Sequence, residues 1–113
     1  MAVFELTDDM VVNDPKARLW AQAEWLKAAI ILARSEQDEA TRRAYLADAA
    51  AGARSLLRFL ETPVGGLWRD NLTGEGEWID EPAPASSFYH IIDSLRVLAA
   101  WQADPNKSGR PTA

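Results

Sequence analysis

The chain has 113 residues, 48% of them hydrophobic, which suits a single globular domain with one modest core and excludes wholesale disorder. Its formal net charge of −5 argues against a nucleic-acid groove or an anionic membrane surface, since both call for clustered Lys and Arg. There is no Cys and a single His, so disulfides, thiolate chemistry and thiolate metal sites are excluded; a His-rich metal site within one chain is not expected, nor any other metal or cofactor.

The first ten residues, MAVFELTDDM, lack a basic start and an apolar segment of signal-peptide type. Lys27 and Arg34 interrupt the longest apolar run, so no membrane span is expected and a soluble cytoplasmic protein follows. Residues 3–12 alternate loosely and read as two short strands about the acidic turn at Asp8-Asp9. Asn13-Asp14-Pro15 reads as a helix start, with Asp14 as the cap and Pro15 in the first turn. That helix is expected to run to about Arg34, apolar nearly all the way round and therefore covered on several sides.

Ser35 to Asp38 form a short polar link to a second helix that ends near Leu60, so an antiparallel pair is expected. The small residues Ala44, Ala47, Ala49, Ala50, Ala51, Gly52 and Ala53 permit close helix–helix approach. Thr62-Pro63-Val64-Gly65-Gly66 breaks the chain there. Residues 67–79 read as a second hairpin about Thr73-Gly74-Glu75-Gly76, in which Trp68 and Trp78 are loop anchors. Pro82 and Pro84 keep the next stretch extended, and Ser86 or Ser87 is expected to cap a third helix that Asp104-Pro105 stops. The domain is thus expected to cover 1–103, with a disordered tail over 104–113.

The order of hairpin, acidic residue, Pro and helix occurs twice, with Asp14-Pro15 answering Glu81-Pro82 and the Trp20–Leu26 turn answering Ser86–Ile92. Helix pairs joined by such loops build solenoids and closed α/α toroids, in which each unit needs neighbours to bury its open faces.

Within the third helix, His90 is the candidate for proton transfer, because an unperturbed imidazole is the side chain that titrates near neutrality. The competing reading is a structural His that is simply hydrogen-bonded. Trp20 and Glu24 lie four apart and share a helix face; they read either as a core Trp with a solvated Glu or as site residues. Arg18 and Arg69 could bind an anionic group or pair with local acids.

The stretch Ala17-Arg18-Leu19-Trp20-Ala21-Gln22-Ala23-Glu24-Trp25-Leu26 resembles the Arg-x-Trp-x-Gln-x-Glu helix of the N-acylglucosamine 2-epimerase superfamily, which includes mannose isomerases and mannose-6-phosphate isomerase-like domains. Gly65-Gly66-Leu67-Trp68-Arg69-Asp70 resembles its Gly-rich hairpin, and Ser86-Ser87-Phe88-Tyr89-His90 its terminal Tyr-His motif. The resemblance implies an all-α fold, part of an (α/α)6 toroid with about three main helices and two short β-hairpin loops, and a place in the C-terminal third of such a barrel. It implies aldose–ketose isomerisation or C2 epimerisation of a mannose- or glucosamine-type sugar or sugar phosphate. His90 would be catalytic, with Trp20, Glu24, Tyr89 and Arg18 as substrate contacts. A second catalytic His, carried upstream in the family, has no counterpart among these 113 residues. The chain is therefore expected to be incomplete alone and to pair as a homodimer or join the rest of a barrel. The alternative is a non-catalytic helical assembly or sugar-binding module.

Overall fold

The computed structural model describes residues 1–3, 5–63 and 67–105. Phe4 of the first expected hairpin, Val64, Gly65 and Gly66 of the second, and positions 106–113 of the expected tail lie outside the described residues. Three helices dominate: α1 (Leu19–Ser35), α2 (Glu39–Leu60) and α3 (Ser87–Ala103). Two small antiparallel sheets accompany them, built from β1 (Glu5–Leu6), β2 (Val12–Asp14), β3 (Ala17–Arg18) and β4 (Asn71–Leu72).

The helix α2 begins as its sequence predicts. Asp38 accepts from the Thr41 backbone N–H at 2.9 Å, a side-chain cap at the first turn. It then packs back along α1, and Gly52 marks the closest approach. A Cβ placed there would lie 3.1 Å from the Leu26 backbone N and 3.2 Å from its Cα, so the small-residue middle of α2 does permit close packing. Leu19, Ala23, Leu26, Ala29 and Ile30 of α1 meet Ala49, Leu56 and Phe59 of α2 in the core, which Leu72 and Ile91 close. Each fully buried side chain of the size of Leu26 or Phe59 stabilises by roughly 1.5–3 kcal/mol.

The start of α1 differs from the sequence expectation. Asp14 caps no helix; its Oδ1 accepts from the Lys16 backbone N–H at 3.0 Å, and the helix opens five residues later. The reason is tertiary. Ala17 and Arg18 pair with Leu72 and Asn71 of the second hairpin, and the Leu19 N–H donates to the Asp70 carbonyl at 2.9 Å. The strand ladder thereby takes the chain that Pro15 would have started as helix, and satisfies an amide that a side-chain cap would otherwise serve.

The third helix also starts without a serine cap. Ser86 precedes it in a helical conformation with no side-chain bond, while the Ser87 hydroxyl donates to Asp70 Oδ1 at 2.6 Å. Backbone bonds from Ser87, Phe88 and Tyr89 to the carbonyls of Pro84, Ala85 and Ser86 wind the entry instead. Its C-terminal stop falls at Asp104, as Asp104-Pro105 predicts.

The two hairpins share a turn. The Thr7 N–H donates to the Val11 carbonyl and the Met10 N–H to the Thr7 carbonyl; Thr73, Glu77 and Gly76 repeat both bonds. Met10 has φ 67° and Gly76 φ 86°, so even the left-handed residue recurs. Trp78 sits edge-on to Phe59 with ring centroids 5.0 Å apart, and Trp68 stacks on Phe88 at 6.2 Å, so both anchor the second loop to the helices.

The expectation that α1 is covered on several sides holds for two. With α2 and α3 in place, Ile31 and Leu32 remain about half exposed, at 52% and 47%.

Candidate functional site

The helices α1 and α3 meet through two polar rungs, each joining residues 66 apart in sequence. In the first, His90 Nδ1 lies 2.8 Å from Glu24 Oε1. In the second, Lys27 Nζ donates to Asp93 Oδ2 at 2.7 Å. Lys27 Nζ also pairs with Glu24 Oε2 at 2.8 Å, so the rungs are tied together along α1. Because Glu24 is three residues before Lys27, and His90 three before Asp93, α1 and α3 run in the same direction here.

A carboxylate accepts and does not donate, so Nδ1 of a neutral His90 carries the proton in the His90–Glu24 bond. Nε2 then keeps its lone pair, and no described residue bonds to it. Burial alone would raise the Glu24 carboxyl, but hydrogen bonds from Lys27 and His90, with the charges behind them, outweigh it and hold Glu24 below its ordinary range. The hydrogen bond from Lys27 does the same for Asp93, and hydrogen bonds to Asp93 and Glu24 raise Lys27. The group is therefore ionised at neutral pH. Its carboxylate acts as the orienting partner of an imidazole, an arrangement suited to general base or acid work.

Glu24, Tyr89, His90, Ile92, Asp93 and Arg96 line an open concavity of about 320 Å³. The Trp20 ring lies 5.9 Å from the His90 ring, tilted by 41°, and is 38% exposed. Tyr89 is 75% exposed. Four of the five residues that the resemblance assigns to a site, Trp20, Glu24, Tyr89 and His90, are thus gathered at one place. Arg18 is not among them. Its guanidinium donates to Asp70 Oδ2 at 3.2 Å and lies 3.9 Å from Glu81, at the junction of the sheet and the helix entries. Arg69 lies over the Trp78 ring, 5.0 Å from its centroid. No cluster of three or more His, Asp or Glu side chains among the described residues is arranged to hold a metal ion.

Residues 1–94 match the family model for N-acylglucosamine 2-epimerase (GlcNAc 2-epimerase). The chain belongs to that family. It is also similar to a mannose-6-phosphate isomerase of Rhizobium meliloti (strain 1021), with 53% identity over 98 residues that make up 87% of this chain. The match spans a quarter of the relative's length, 25%. No solved structure matches the chain. In this epimerase-family chain the segments Trp20–Glu24 and Tyr89-His90 meet at one polar site.

Three members of that site escaped the sequence reading: Lys27, Asp93 and Arg96. A signal for the first two was present. The offset between repeats, applied to Glu24, lands on His90, and applied to Lys27 it lands on Asp93, so residues of pairing chemistry occupy matched positions. Asp70 was also missed as a structural centre. Its side chain is almost fully buried, accepting from Ser87 and Arg18, while its carbonyl accepts from Leu19.

Proposed function

We propose that this chain supplies one acid/base half of a sugar isomerase or epimerase site, with His90 as the group that exchanges a proton with the carbon next to a sugar carbonyl. The observation that carries this reading is the Glu24–His90 bond, which leaves Nε2 available beside an open concavity. In the step, Nε2 takes the C2 proton of an open-chain aldose. The C–H electron pair forms the C1–C2 double bond of a cis-enediol, and the carbonyl oxygen gains a proton. Return of a proton to C1, as the C2 hydroxyl gives up its proton and becomes the carbonyl, gives the ketose; return to C2 from the opposite face, as the C1 hydroxyl gives up its proton, gives the epimer. No oxidant or reductant enters.

The substrate in this reading is a mannose- or glucosamine-type monosaccharide or its phosphate. The name of the Rhizobium meliloti relative supports the phosphorylated form. Trp20 and Tyr89 offer ring faces to the sugar. Arg96, at the wall of the concavity, is better placed than Arg18 to meet an anionic substituent, because Arg18 is engaged by Asp70. A second proton-transfer group, the family's other His, comes from outside these 113 residues, since they contain one His. In the same reading the three helices are part of an (α/α)6 toroid in a cytoplasmic enzyme. None of the helices among the described residues is long and apolar enough to cross a membrane.

Assembly belongs to this proposal too. Exposed Phe88, Ile92 and Leu95 on α3, and Ile31 and Leu32 on α1, form apolar faces that a second copy or further barrel helices would cover. Light scattering at micromolar concentration is expected to report a homodimer, and a well-folded monomer would remove this part. For the activity itself, the 113-residue chain is expected to show little or no net isomerisation of mannose or mannose 6-phosphate, because one His serves only one of the two proton-transfer roles. Robust turnover that persists in His90→Ala would overturn the role given to His90. Turnover by the chain that is lost in that variant would place both roles here.

A further inference from the structure

The geometry points to Lys27, held in place by Asp93, as the positioning residue that fixes the tautomer of His90 through Glu24. This deepens the reading of the site given above and depends on it only for the use made of Nε2.

A Glu side chain that is about one-third exposed has the freedom to turn its carboxylate toward water, and ordering it costs rotamer entropy. Here both oxygens are occupied. Oε1 accepts from His90 Nδ1 at 2.8 Å, and Oε2 takes Lys27 Nζ at 2.8 Å. Lys27 is in turn fixed from the other helix, since its Nζ donates to Asp93 Oδ2 at 2.7 Å. The Lys27 side chain is only 24% exposed, less than Glu24 at 35% or Asp93 at 56%, and both carboxylates reach its ammonium. Its charge stands between theirs and keeps Glu24 an ionised group that only accepts.

Two consequences follow for the imidazole. The Glu24 oxygen that faces Nδ1 cannot swing away without breaking the ion pair on its other oxygen. The proton of neutral His90 is therefore held on Nδ1, and Nε2 is left as the lone-pair nitrogen. In addition, the Lys27–Asp93 rung sits one helical turn beyond the Glu24–His90 rung at the same sequence offset, which fixes the register of α1 against α3 at the level of the imidazole. Supporting groups of this kind decide whether a site holds its geometry.

Because His90 is the only His, its ring nitrogens give one unambiguous set of NMR signals without any substrate. The experiment measures ¹⁵N and ¹³C ring shifts of the whole chain at a pH where the imidazole is neutral, for the parent, Lys27→Met, Lys27→Arg and Asp93→Asn. The parent is expected to show predominantly the Nδ1–H form. Lys27→Met should move the tautomer ratio roughly tenfold toward Nε2–H, as expected when a charge-assisted hydrogen bond loses its support. Lys27→Arg should restore most of the parent ratio, and Asp93→Asn should fall between. Circular dichroism on each sample reports the helices; should Lys27→Met lose them, the solvent-facing Asp93→Asn carries the test. Parent-like ring signals in every folded variant would overturn the proposal. So would an Nε2–H form in the parent. Absence of isomerase activity would bear on the reading of the site but leave this measurement intact.

Discussion

The molecule contains one unit twice, a tight hairpin followed by a helix, and the two copies differ in what surrounds them. The hairpins close with the same backbone bonds, Thr7 to Val11 and Thr73 to Glu77, and pair Leu6 with Val12 as Leu72 pairs with Trp78. The helices that follow have opposite fates. Gln22, Ala23, Leu26, Ala29 and Ala33 are buried in α1. Their counterparts on α3 at the 66-residue offset, Phe88, Tyr89, Ile92, Leu95 and Ala99, are all exposed. The difference is α2, which packs on α1, whereas no described helix takes the same place on α3. Local sequence thus repeats the hairpin and the helix, while burial is decided by the neighbour. The site lies where the two copies touch, and it uses matched positions of both.

The comparison can be broken most severely at Asp70, which fastens the second hairpin to the entries of both helices. Asp70→Ala removes the partner of Arg18 and Ser87 from a nearly dry position and should cost about 3 kcal/mol in chemical denaturation. A loss below about 0.5 kcal/mol, the usual range for surface changes, would mean that the two units are not joined there. Next in size is Gly52→Ala. The new methyl would press on the backbone of Leu26, which cannot yield as a side-chain tip can, and the expected loss is about 2 kcal/mol. An unchanged unfolding midpoint would show that α2 lies farther from α1.

A smaller effect sharpens the hairpin comparison. Met10 holds the left-handed conformation that Gly76 holds in the other copy, so Met10→Gly should stabilise the chain by up to about 1 kcal/mol, read as a raised melting temperature. A drop would show that the Met10 side chain makes a compensating contact.

The smallest effect is the pH dependence of the inter-helix group, whose members lie near solvent. Glu24 is depressed in the folded chain, so the stability it contributes is present above its ordinary value of 4.5 and is lost as pH falls through the lower folded value. Lys27 is raised, so its contribution is present below 10.5 and is lost as pH climbs past the higher folded value. Thermal melts of Glu24→Gln should show a shallower loss at acid pH than the parent; identical slopes would contradict the ion pairing.

Much of this was readable from the residues. Asp38 with Thr41, Thr62-Pro63 and Asp104-Pro105 mark helix ends because their signals are local, made by a side chain or ring within a few residues of the backbone it affects. The start of α1 was not readable, because it is set by pairing with a strand about fifty residues away, and the same is true of Ser87, whose hydroxyl serves Asp70 instead of its own helix. His90, Glu24 and Trp20 were legible as a group through motif and helical spacing. Lys27 and Asp93 were not, since charges on a helix usually belong to a solvated face and only the repeat offset sets these two opposite each other. Of the two readings of Arg18, a phosphate contact or a pair with local acids, the structure shows the pair, with the buried Asp70.

Deuterium wash-in at C2 of mannose 6-phosphate tests the central claim most directly, because exchange needs only the one base proposed for this chain. An imidazole that removes the C2 proton, exchanges it with D₂O and returns it to the same face labels the sugar without converting it. The account predicts slow label at C2 with the parent chain, a large decrease with Glu24→Gln and none with His90→Gln. Label that appears at the same rate with His90→Gln, or no label from the parent at saturating sugar, would contradict it.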